Sequence, residues 1–208
     1  FERTEGYITL CARNATADRI NREELGKLTT PTHTFLANVQ GQFDPTLFPA
    51  DLEMRLRKGA QVMFVKNDPE KQFVNGTIGT VTEISDEHIH VTVVEDSGKR
   101  RKIDVSPMEW QILRYRSDVT GGIEAEPIGS FVQYPLRLAW AITVHKSQGK
   151  TFDKVLLDLG GGAFEHGQLY VALSRCRTLE GIVLKQRIRH QDVITDERIV
   201  DFYGEINF

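Results

Sequence analysis

Cysteine is scarce, long apolar runs are absent and neither sign of charge dominates, and each shortage excludes a class of protein. Cys11 and Cys176 are the only cysteines. That argues against a disulfide framework and for a reducing, cytoplasmic compartment. No apolar run approaches the length of a bilayer span and the first residues show no signal-peptide pattern, so no membrane partner is expected. Lys and Arg number 26 against 29 Asp and Glu, a formal net charge of −3. Contacts with nucleic acid must therefore be local. The histidines lack a metal-ligand pattern: His88 and His90 stand two apart on one strand face, His145 and His166 stand alone, and no Cys or carboxylate joins them at ligand spacing. No Ser/His/Asp ordering, internal repeat or low-complexity segment stands out. The chain opens on Phe1, which suggests a piece of something longer.

A complete phosphate-binding loop is also missing. Gly149-Lys150-Thr151 supplies the end of the G-x-x-x-x-G-K-[ST] pattern, whose amides cradle phosphates while Lys and the hydroxyl reach the terminal phosphate and Mg2+. The leading glycine would fall at Val144, a β-branched residue that resists positive φ. This excludes a stand-alone phosphotransferase, and the chain is not expected to hold ATP and Mg2+ unaided.

What remains is ordinary globular composition, 40% hydrophobic and 26% charged, enough for one large domain or two small ones. Tyr7–Ala12 reads as a buried strand, and Asn14 caps a helix running to about Lys27. Residues 29–50 read as a long surface connection, with a short helix at about 50–57. From Gly59 the period shortens. Gln61–Val65, Ile78–Ile84, Ile89–Val93 and Lys99–Val105 read as strands, with an Asn75-Gly76 tight turn and an Asp96-Ser-Gly98 turn. Short strands at such intervals predict a small antiparallel barrel whose last strand lies within 128–138, after the Gly121-Gly122 loop. After Pro135 an α/β pattern returns. Leu136–Val144 is a short helix or an extended entry, Val155–Leu159 and Gly181–Leu184 are buried strands, and Glu165–Arg175 and Thr195–Ile206 are helices.

Two stretches carry candidate chemistry. Thr143, His145, Lys146, Ser147, Gln148 and Gly149 crowd short polar side chains before a strand. The residues alone leave two readings open, a solvated loop or a contact for phosphate oxygens. Arg175 and Arg177 end a helix, where the macrodipole favours cations. They would also suit an arginine finger, a guanidinium set against charge developing on a transferring phosphoryl group.

Leu136–Gly149 and Gly167–Gly181 closely resemble motifs V and VI of superfamily 1B DNA helicases of the PIF and RecD type. Ile8–Asn21 resembles motif IV, and Lys58–Phe64 with Val74–Val81 resemble the entry to that family's SH3-like barrel. The resemblance spans essentially the whole chain. It implies an α/β RecA-like second motor domain (residues 1–57 and 135–208) with an inserted SH3-like β-barrel (58–134). ATP and Mg2+ would be held mainly by an N-terminal RecA-like domain of the same protein. The resemblance further implies that Arg175 is the arginine finger, with Gln148, Gly149 and Arg177 also near the nucleotide. Thr143, His145, Lys146 and Ser147 would face single-stranded DNA, and Asn75-Gly76 would border the same channel. The alternative is a non-catalytic adaptor that binds single-stranded DNA or protein.

Overall fold

The computed structural model describes residues 6–85, 88–95, 97–117 and 123–205. Gly121-Gly122, Asp96 and Ile206 lie outside them.

The first strand, β1 (Ile8–Cys11), is buried along its whole length, as a strand covered on both faces must be. Helix α1 (Asn14–Lys27) follows and turns Ala17 and Ile20 inward. The stretch 29–50 is not the expected bare connection. It holds β2 (His33–Leu36), β3 (Asn38–Gly41) and a 3-10 turn at Pro45–Leu47, capped by Asp44 through the Thr46 amide at 2.8 Å. The helix expected at 50–57 is instead strand β4 (Glu53–Leu56), in which Met54 and Leu56 are buried and Glu53 and Arg55 exposed. The aromatics scattered through this region explain the difference. Phe43 and Phe48 pack with Phe131, and Phe35 meets Tyr134 edge-on at 5.0 Å. Tertiary burial thus draws a weakly patterned segment into strands.

Strands β5 (Gln61–Phe64), β6 (Ile78–Ile84), β7 (Ile89–Val94) and β8 (Arg100–Val105) follow where the alternation predicts them. Asn75-Gly76 does form a turn, with the Thr77 amide bonded to the Val74 carbonyl at 3.0 Å. Gly76 takes φ 103° while Asn75 does not take a positive φ. This is the pattern of a type II turn at the end of a loop, not of a two-residue hairpin. Next come two long strands, β9 (Met108–Ser117), which was not expected, and β10 (Ile123–Gln133), which overlaps the strand expected within 128–138 but starts earlier. They join in antiparallel register with a shift between Pro127 and Gly129. Leu136–Val144 resolves as extended: β11 (Leu136–Leu138) and β12 (Ala141–Thr143). The chain ends with β13 (Val155–Asp158), α2 (Gln168–Leu173), β14 (Ile182–Leu184) and α3 (Glu197–Glu205). Helix α2 is shorter than the Glu165–Arg175 expected.

The chain divides into two compact units, between Glu24 and Leu25 and again between Leu138 and Ala139. The sequence placed these divisions at 57/58 and 134/135. In the first unit the strands form a parallel sheet of order β12-β1-β13-β14, with Ile8, Leu10, Val155 and Leu157 in its core. The second unit, Leu25–Leu138, holds three antiparallel sheets: β11-β5-β6-β7-β8, β3-β10-β9 and β2-β4. Val81, Val91 and Ile103 form the buried face of the five-stranded sheet. Gly79 allows the close approach of β7, because a Cβ there would collide with the Val91 side chain.

Candidate nucleotide and nucleic-acid site

In an open parallel sheet the loops after the carboxyl ends of the strands are the usual place for a ligand. Three such loops leave neighbouring strands of the first unit. After β12 the chain tightens into a 3-10 turn at His145–Ser147. The Ser147 hydroxyl donates to the Val144 carbonyl at 2.6 Å, and the Thr143 hydroxyl oxygen accepts from the Lys146 amide at 3.3 Å. Both side chains are buried. Thr143 and Ser147, expected to face DNA, therefore do not reach the surface. They hold the turn from inside, because a short hydroxyl beside free turn carbonyls and amides satisfies those first. The exposed members are His145, Lys146, Gln148 and Gly149. Gly149 takes φ 72°, a left-handed conformation in open space. After Thr151 no helix follows. Phe152 bridges to Cys176 and the chain enters β13, so the strand–loop–helix context of a phosphate loop is missing.

Arg175 joins this loop to the end of α2. Its Nε donates to the Val171 carbonyl at 3.0 Å, Nη1 to the Lys150 carbonyl at 3.2 Å and Nη2 to the Ser174 hydroxyl at 2.9 Å. A guanidinium carries five N–H donors, so three are anchored and two remain for a further acceptor. The backbone doubles the connection: Phe152 N–H donates to the Arg175 carbonyl at 2.8 Å and Arg177 N–H to the Phe152 carbonyl at 3.0 Å. Gly181 closes the same corner, since a Cβ there would collide with the Asp153 carbonyl and lie 2.7 Å from Cys176 Sγ. Arg177 is half exposed and pairs with Asp153 at 3.3 Å. Lys150 is half-buried, and desolvation holds its pKa below the ordinary lysine range.

The structure thus gathers Gln148, Gly149, Lys150, Arg175 and Arg177 around one seam. Asn75 and Gly76 belong to the second unit. Among the described residues no group of side chains suits a metal ion. His88 and His90 do meet a carboxylate that sequence spacing hid: Asp104 lies 3.4 Å from His88 Nδ1 and 3.7 Å from His90 Nε2. Glu83, bonded to Lys102 and His90, is held below the usual carboxylate range.

Two positioning residues were not singled out from the sequence. Asn21 on α1 bonds both backbone groups of Ala141, donating to its carbonyl and accepting from its amide, each at 2.8 Å. Asp192, buried and capped by the Arg189 amide and guanidinium, is held below its usual pKa. It leaves no room for a side chain at Gly162. The role of Asn21 has no local sequence signal, because its partner is backbone 120 residues away, whereas Asp192 and Arg189 stand three apart in a local capping pattern.

Residues 138–183 match the family model of the UvrD-like helicase C-terminal domain. The ATP-dependent DNA helicase Pif1 of Campylobacter jejuni is 31% identical over 228 residues, covering 98% of this chain and 49% of the relative. The chain thus spans about half the length of that relative. The unliganded structure of Pif1 from a Bacteroides species superposes with a TM-score of 0.86 at 40% identity, covering 96% of this chain and 45% of that one. The Bacteroides Pif1 helicase in complex with ADP-AlF3 and single-stranded DNA matches with a TM-score of 0.75 at 40% identity, over 98% of this chain and 46% of that one. The parallel sheet with its flanking helices is therefore a RecA-like helicase fold. The chain thus carries a UvrD-like helicase C-terminal domain and, over nearly its whole length, is similar to about half of a Pif1-type DNA helicase.

Proposed function

We propose that this chain is the second RecA-like motor domain, with an inserted SH3-like barrel, of an ATP-dependent helicase that translocates on single-stranded DNA and unwinds duplex. Strands β5–β8 and β11 would form the barrel, and their continuous antiparallel order and apolar interior support that reading. ATP and Mg2+ would be bound mainly by an N-terminal RecA-like domain. That division of labour is supported by Val144 in place of a phosphate-loop glycine.

The observation that carries the reading is the anchoring of Arg175. An arginine finger needs a guanidinium held in advance, so that little ordering is required when charge develops on the phosphoryl group. Arg175 is fixed by three bonds and keeps two N–H groups to offer. Its bond to the Lys150 carbonyl ties it to the turn that presents His145 and Lys146. A change at the nucleotide would thereby be felt by the residues proposed to hold the strand. Gln148 and Gly149 lie along the connection, and Arg177 supplies a second cation beside it. In this scheme His145 and Lys146 touch the DNA backbone, and Thr143 and Ser147 shape the turn. Contacts to the backbone hold DNA without reading its sequence, as stepping requires.

The test is Arg175→Ala in the complete helicase. DNA-stimulated ATP hydrolysis should fall by about three to five orders of magnitude while the Kd for single-stranded DNA stays within about twofold. Hydrolysis at the wild-type rate would overturn the assignment. A complete protein with no DNA-stimulated hydrolysis at all would favour the adaptor.

A further inference from the structure

Strand β9 is an edge that no other described strand closes: the order β3-β10-β9 leaves one side of it without a neighbour. Natural edges are usually blunted by shortness, proline or lysine. Strand β9 runs for 10 residues and contains no proline, glycine or lysine. Two contacts show which of its backbone groups point outward. The Lys66 ammonium donates to the Glu109 carbonyl, and Leu113 lies opposite Pro127, which has no N–H to give. Glu109 and Leu113 thus turn their backbone groups away from β10, and by the alternation of an antiparallel ladder so do Gln111 and Tyr115. Among the described residues no backbone bond reaches the outward groups of Gln111, Leu113 and Tyr115. Leu113 is 41% and Tyr115 67% exposed, so the same stretch also offers apolar area.

Lys66 occupies one end of this edge, and the free stretch that remains, Gln111 to Tyr115, is centred on Leu113. That makes it self-complementary. In a copy related by a two-fold axis at Leu113, Leu113 pairs with Leu113 of the second copy and Gln111 with its Tyr115. On the other face Ile112 meets Arg114 and Trp110 meets Arg116, an aromatic–guanidinium pair. No like charges are opposed. Moving the axis to Arg114 sets that arginine against itself. Moving it to Ile112 sets Tyr115 against Glu109, whose carbonyl Lys66 already holds.

We propose that β9 is a self-association edge, at which two copies of the protein pair β9 with β9 antiparallel about Leu113 and join two three-stranded sheets into one.

The test is the mass of the full-length protein in sedimentation equilibrium across a concentration series. A contact of this size is weak, so the dimer is expected with a Kd of about 10–100 μM. Leu113→Pro removes an outward N–H that the monomer does not use, and Tyr115→Lys charges the edge, so each should weaken the dimer about tenfold or more. In a Cys176→Ser background, Leu113→Cys should give a disulfide-linked dimer under oxidised glutathione, because the paired Cα atoms would lie about 5.5 Å apart. Gln111→Cys should not, because the two copies of that residue would be separated by about 13 Å along the strands. A wild-type protein that stays monomeric up to about 500 μM would overturn the proposal. So would a dimer of unchanged Kd in both edge variants, or equal cross-linking from positions 111 and 113.

Discussion

At the scale of single residues, the positions that hold the site together are those whose side chains replace missing backbone partners. Strand β12 is the edge of the parallel sheet, so one side of its backbone has no neighbouring strand. Ala141 is buried there, and an unpaired amide and carbonyl would each cost about 1–3 kcal/mol. The Asn21 carboxamide meets both, acting as one residue of a further strand. Asn21→Ala should therefore destabilise the protein by about 1–3 kcal/mol in denaturant unfolding, and Asn21→Asp by a similar amount because its carboxylate opposes the Ala141 carbonyl. A loss below about 0.5 kcal/mol in both would mean that water replaces the amide without cost. Ser147 and Thr143 show the same logic, and they show why a motif match does not by itself separate residues that touch a ligand from residues that shape the loop. Sequence gives the residue type, whereas burial decides which way its hydroxyl is spent.

At the scale of elements, what the sequence revealed depended on how each element is stabilised. Strands β6 to β8 alternate because one face is wet, and β1 and β13 read as short apolar runs because both faces are covered. Strand β14, also read as buried, is instead a partly exposed edge strand with Leu184 open to solvent. Strand β4 was mistaken for a helix because four residues, Glu53–Leu56, are too few to separate a period of 2 from 3.6. Strand β9 and the first part of β10 escaped notice because charged residues interrupt them, which leaves little hydrophobic contrast. Helix α3 departs from expectation in another way. The apolar Ile199, Val200 and Tyr203 are each more than half exposed, where an apolar side of a helix is ordinarily buried. The seam between the turn after β12 and the end of α2 was legible only as two motifs, since every bond joining them is accepted by a backbone carbonyl, which residue type does not reveal. Gly181 gives that seam a test. Gly181→Ala would press a methyl group against the Asp153 carbonyl and Cys176 Sγ, and must separate the chain at 152–153 from the chain at 176–177. Overpacking of this kind costs about 1–3 kcal/mol. The expected result is that loss in stability, with DNA-stimulated ATP hydrolysis in the complete helicase falling further than thermal unfolding explains. A variant of wild-type stability and activity would show that the seam does not couple the two motifs.

At the scale of the whole molecule, the chain order sets an order of folding. Thr9 pairs with Ala141 and Cys11 with Thr143, yet the whole unit Leu25–Leu138 lies between them in sequence. Closing so long a loop from an unfolded chain has an entropic cost that must be met before any contact in the parallel sheet forms. The inserted unit faces no comparable obstacle among β5 to β8, whose neighbours in space are neighbours in sequence. Once it has folded, its two ends are held by structure and the loop separating β1 from β12 is no longer a flexible chain. The five-stranded sheet should thus acquire protection first and the β1–β12 pairing later, as domains of a discontinuous chain fold unit by unit. Pulse-labelling hydrogen exchange during refolding resolves this directly. Amides of Val81, Val91 and Ile103 are expected to be protected in an early phase, and those of Thr9 and Val144 in a slower one. Simultaneous protection would mean that the two units fold as one cooperative body, and the reverse order would mean that the parallel sheet guides the insertion instead.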